Sequence, residues 1–100
     1  MEKLKQEFTQ AMYEVADMVY EGINHNPTKF RQMLDEQGGQ KTAKTLINNK
    51  ISSTYGKLAE KERLDLTLEA QILDNKKWHP LFDENELKKC ERRLERKRSV

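Results

Sequence analysis

The sequence predicts an all-α protein, a single-domain bundle of five or six helices with a long first helix and a basic last one. Three observations carry that reading. Ala, Leu, Glu, Lys, Gln, Arg and Met, which lose least on entering a helix, supply 57 of the 100 residues, while Val and Ile together supply seven. Apolar side chains recur at steps of three and four. Helix start and stop residues separate the apolar stretches. With 35% apolar and 36% charged residues the core is thin, but the charges nearly cancel at +2 and the apolar pattern is periodic, which argues for folding over disorder. One hundred residues make one domain, too few for a two-lobed enzyme with a cleft between its lobes.

The first helix is expected over residues 1–24. Leu4, Phe8, Ala11, Met12, Val15, Met18, Val19 and Ile23 form one apolar stripe, and Gly22 with Asn24, His25 and Asn26 stops it. The remaining residues, 26–98, read as a compact helical module with a basic tail. Asn26 is placed to cap a second helix over 27–37, with Pro27 at its first position and Phe30, Met33 and Leu34 buried. Gly38-Gly39 ends that helix in left-handed geometry. A third follows over 40–49 through Ala43, Leu46 and Ile47, and a short fourth through Tyr55, Leu58 and Ala59, with Ser52, Ser53 and Thr54 before it as loop or cap.

Leu64-Asp65-Leu66-Thr67-Leu68 alternates like a strand, yet nothing in the chain offers it a partner, so a helix over 66–73 capped by Asp65 is expected. Pro80 disfavours helical geometry at His79, which takes the segment Trp78 to Phe82 out of helix and its aromatics into the core. The clearest start signal is Asp83 followed three residues later by Glu86, with Phe82 before it and Leu87 after it as a hydrophobic staple. A last helix then runs over about 84–97, with Leu87, Cys90 and Leu94 inward.

From Pro27 onward the signals resemble an uncharacterised all-helical module of bacterial proteins. The likeness lies in Pro27-Thr28-Lys29-Phe30, Gly38-Gly39, Ala43-Lys44, Leu46-Ile47 and Tyr55-Gly56 with Leu58. It continues through Arg63 to Ala70 (RLDLTLEA), Trp78, Pro80-Leu81-Phe82, Glu86-Leu87 and Arg93-Leu94, and spans about two thirds of the chain. The chain departs from it at Ala59, where the pattern has a large aromatic, and at Glu62, where it has a glycine. The resemblance implies a helical fold and a bacterial cytoplasmic setting, and it brings no reaction.

Function is less legible. No stretch approaches the roughly 20 apolar residues that cross a bilayer, and residues 1–10 lack a signal-peptide core, so a cytoplasmic protein without membrane contact is expected. Lone Cys90 forms no internal disulfide, and His25, His79 and Cys90 are too scattered for a zinc set, so no metal, cofactor or catalytic residue is assigned. In Gly38-Gly39-Gln40-Lys41-Thr42 the spacing is too short for a phosphate loop, and a helix precedes it where such a loop needs a strand. Arg63 and Asp65 read as a local pair and a cap; Glu69 stays open.

Two surfaces stand out. Phe8, Met12, Val15 and Val19 offer a candidate interface, on the argument that the first-helix stripe, widened by Met18, Ala11, Tyr13 and Tyr20, exceeds what a small bundle covers. Residues 1–87 carry 12 basic and 15 acidic side chains, whereas 88–100 carry seven and two. Lys88, Lys89, Arg92, Arg93, Arg96 and Lys97 are therefore candidate phosphate contacts, although a solvated face pairing with Glu91 and Glu95 accounts for them as well. The leading expectation is a non-enzymatic helical protein–protein interaction module that self-associates as a homodimer or docks on another bacterial protein. The alternative is a small nucleic-acid-binding or regulatory protein that uses the basic C-terminal helix.

Overall fold

The computed structural model describes residues 2–98; Met1, Ser99 and Val100, the ends of the expected 1–100 domain, lie outside the described residues. The fold is all-α, and among the described residues there is no strand. Helix α1 (Glu2–Ile23) turns Phe8, Met12, Val15, Ala16 and Val19 into the core and ends where Asn24 adopts a left-handed φ of 53°. Helix α2 (Thr28–Ile47) packs along it. It carries one break, at Gly38 (φ 81°, ψ 171°), so residues 28–37 and 39–47 form two limbs at the place where the sequence ends one helix and begins the next. The two glycines do different work. Gly38 supplies the backbone angle, whereas Gly39 supplies space: a Cβ there would sit 2.7 Å from the Thr9 Cα, and its N–H donates to Thr9 Oγ1 at 2.9 Å.

Helix α3 (Ser53–Glu60) starts at the Ser52 hydroxyl, which accepts from the Tyr55 N–H at 3.1 Å. It ends with Glu62 in left-handed geometry (φ 58°), the Arg63 N–H reaching back to the Leu58 carbonyl. A 3₁₀ turn over Leu64–Leu66 follows and lays Leu66 against α1 at Gly22, where a Cβ would come within 2.6 Å of Leu66 Cδ1. Helix α4 (Leu68–Asp74), a second 3₁₀ turn over Lys76–Leu81 and helix α5 (Glu84–Leu94) complete the chain. The reciprocal box expected at Asp83 and Glu86 is present.

Several expectations are corrected. Asn26 does not cap the second helix: its side-chain oxygen accepts from Arg31 Nε at 2.8 Å, Pro27 takes the flanking position, and the helix begins at Thr28. The helix expected from Leu66 begins at Leu68, because the Thr67 hydroxyl accepts from the Ala70 N–H while Asp65 is held by Arg63. Pro80 does not end helical geometry around His79 but sits inside the tighter 3₁₀ turn. The last helix stops at Leu94, three residues short of expectation, because Glu95 turns left-handed (φ 56°) and the Arg96 N–H closes back on the Glu91 carbonyl.

Trp78 and Phe82 do plug the core, meeting the Phe8 ring edge-on at centroid distances of 5.3 and 5.5 Å. Ile47, Leu58, Ile72, Leu73, Leu87 and Cys90 complete the same cluster.

Candidate binding groove

The chain covers its own first-helix stripe. Phe8 and Met12 are fully buried, Val15 is 4% exposed and Val19 2%, so the four residues expected to form an interface are core instead. What α1 does expose is Met18 and Tyr20; Tyr13 is half-buried and donates its hydroxyl to Asp35.

The basic helix is also largely spent on the protein itself. Arg93 donates to Glu69 at 2.8 Å and to the carbonyls of Leu46, Ile47 and Asn49 at 3.1, 3.0 and 2.6 Å, which removes it from the candidate phosphate contacts. Arg96 forms a two-pronged pair with Asp74, Lys89 donates to Asn48, and Arg98 clamps Glu84 and Glu91. Lys88, Arg92 and Lys97 are exposed and in no ion pair among the described residues, but Glu91 and Glu95 share the shallow depression they border. The surface is of mixed sign rather than a basic stripe.

The structure opens elsewhere, between α2 and α3. A groove of about 610 Å³ lies there, its floor made by Val15, Val19, Leu58 and Leu66. Its walls are the half-buried side chains of Phe30, Met33, Leu46 and Leu68. Helix α3, which starts at the Ser52 cap, packs mainly on the Leu64–Leu66 turn rather than along α2. Phe30 and Met33 were expected to be buried with Leu34; Leu34 alone is. Ser52, Ser53, Thr54 and Thr45 add hydroxyls to the lining, and Lys29 and Lys50 stand exposed at the rim.

One acid lines the groove, Glu69, with its side chain 5% exposed. Arg93 answers its charge, and the same guanidinium closes the carbonyl end of α2. The Tyr55 hydroxyl donates to the Arg93 carbonyl at 2.6 Å, tying α3 to this junction, and burial raises the Tyr55 phenol above its ordinary value. The junction joins four helices through residues 24 to 47 positions apart, and its one local signal is Glu69, an acid among Leu66, Leu68, Ala70 and Ile72.

On the opposite side of α2, Glu86 completes its capping box and accepts from Lys44 at 2.7 Å and Asn48 at 2.9 Å. Burial pushes its carboxyl up, but the Lys44, Asp83 backbone and Asn48 donors together outweigh that and hold it below the usual carboxylate range. Half-buried Glu91 is drawn down to about 2 by the Arg98 side chain and backbone. Burial pushes the Cys90 thiol up to about 12, which leaves it inert at neutral pH. His79 Nε2 is occupied with the Ile72 carbonyl at 2.9 Å. Among the described residues no three His, Cys, Asp or Glu side chains gather where they could hold a metal ion, and no helix is long and apolar enough to cross a membrane.

Comparison of the chain with models of known protein families, with curated proteins and with solved structures finds no match.

Proposed function

We propose that this chain is a non-enzymatic protein-interaction module of the bacterial cytoplasm, and that it binds its partner through the groove between α2 and α3 rather than through the apolar stripe of α1. The observation that carries this reading is the wall of half-buried Phe30, Met33, Leu46 and Leu68 around one groove in a chain whose other large apolar side chains are mostly packed into the core. Such a concentration of apolar surface is where a partner gains most by excluding water. Binding rather than catalysis is favoured because the chemical groups at the groove are already employed. Glu69 is neutralised by Arg93, Tyr55 donates to a carbonyl, and the Ser52 and Thr67 hydroxyls cap helices. The nucleic-acid reading loses Arg93, Arg96 and Lys89 to contacts within the protein.

A photo-crosslinking residue tests the surface directly. Placed at Met33 it should yield adducts with a protein in the native cytoplasm, whereas at Tyr20, the more exposed of the two large apolar residues that α1 shows to solvent, it should not. Adducts at position 20 alone would refute the groove, and adducts at neither position would refute the module.

A further inference from the structure

This inference rests on the groove being the binding surface, and it concerns what the groove accepts. The surface it exposes is mainly apolar, and its walls are half-buried, so it asks for apolar side chains. Its shape asks that they come from a helix. The groove lies between helices and is partly open to solvent, a setting in which an amphipathic helix can lay down its apolar face. An extended peptide would need a sheet edge to pair with, and the described residues contain no strand. A proline-rich segment would need a row of aromatic rings, of which the lining has two, Phe30 and Tyr55.

Charge then selects among helices. Lys29 and Lys50 stand exposed at the rim, and neither is in an ion pair among the described residues. The one acid in the lining is already matched by Arg93, so the groove presents positive charge with nothing inside it to balance that charge. We propose that the occupant is an acidic amphipathic helix of a partner protein, laid apolar face down between α2 and α3 with carboxylates beside Lys29 and Lys50. A second copy of this chain fits less well. The outer face of α1 is acidic, through Glu14, Asp17 and Glu21, but its exposed apolar residues, Met18 and Tyr20, are two positions apart and do not point the same way.

The test uses the full chain and three fluorescent synthetic peptides about 15 residues long, near the shortest length that holds a helix in water. Each carries Leu at i, i+3, i+4 and i+7, and they differ only in having Glu, Gln or Lys at the polar positions. By fluorescence anisotropy the Glu peptide should bind about tenfold more tightly than the Lys peptide at low salt, the gap closing toward ~0.5 M salt as the rim charges are screened. The double variant Lys29→Glu, Lys50→Glu, which changes exposed side chains and leaves the core alone, should reverse that order. Met33→Glu, checked for retained helicity, should weaken all three. Equal binding of the Glu and Lys peptides, with Met33→Glu still weakening both, would overturn the acidic partner and leave the groove standing. Binding of all three that Met33→Glu does not touch would overturn the groove as well. Absence of peptide binding, K29E/K50E-sensitive binding of dodecanoate in place of a peptide, or a dimer in sedimentation that Met33→Glu dissolves would each overturn the helical partner.

Discussion

The two flanks of α2 show how the same helix formers produce a closed surface and an open one. Toward α5, every buried polar side chain finds a partner: Glu86 takes Lys44, Asn48 and its own cap, and Arg93 gathers Glu69 and three carbonyls. Toward α3, contact is replaced by a gap, and four large apolar side chains are left half covered. Closure on one flank rests on charge pairs that reach across the sequence. On the other, Ser52 caps α3, which packs on the Leu64–Leu66 turn and reaches the end of α2 through the Tyr55 hydroxyl at the Arg93 junction.

The contrast is broken most directly by truncating one aromatic of the closed core and one of the groove wall. Phe8→Ala, at the meeting point of Trp78 and Phe82, should cost about 3–5 kcal/mol in denaturant melts, a large part of the roughly 5–15 kcal/mol that holds a small domain together. Phe30→Ala on the groove wall should cost less, about 2 kcal/mol, since that ring is only partly buried. Equal losses would mean that the groove is closed in solution.

Arg93→Met should cost about 3 kcal/mol, because it leaves the Glu69 carboxylate buried without its charge partner and uncaps the end of α2. The double variant Arg93→Met, Glu69→Leu should recover most of that loss in the same melts. If it does not, the carbonyl contacts rather than the ion pair hold the flank shut.

Acid should loosen the α5 flank before the groove. The Glu86 and Glu91 carboxyls are held below their ordinary value in the folded chain, so their contribution to stability is complete above about pH 4.5. It fades as pH falls through their folded values, toward about pH 2 for Glu91. Thermal midpoints should therefore drop over that range, and Glu86→Gln should flatten the slope. A midpoint that rises on acidification would contradict both assignments.

The smallest effect expected is a gain. Glu62 ends α3 in left-handed geometry, which a side chain adopts at a cost of about 1 kcal/mol, so Glu62→Gly should raise stability by up to that amount without altering the groove. A loss would show that the Glu62 side chain steadies α3 by some other route.

How much of this was readable in the sequence depended on distance along the chain. The helical class, the break at Gly38 and the Asp83–Glu86 box all lie in patterns a few residues long, and the chain folds as they dictate, whereas Ser52, Ser53 and Thr54 read equally as loop or cap. Asn26 and Asp65 failed as caps although both are good cap residues, because Arg31 and Arg63 claimed their side chains. The stripe of Phe8, Met12, Val15 and Val19 was correctly read as apolar, but periodicity states which face is apolar and not what covers it.

The sequence alone therefore determined the helical class, the apolar face of α1, the break at Gly38 and the box that starts α5, since hydrogen bonds and caps act within a turn or two. Only the tertiary structure decided which of those faces are closed. Burial of α1 against Trp78 and Phe82 and the pairing of Glu69 with Arg93 bring together side chains 24 or more residues apart, and no local spacing encodes those approaches or the gap between α2 and α3.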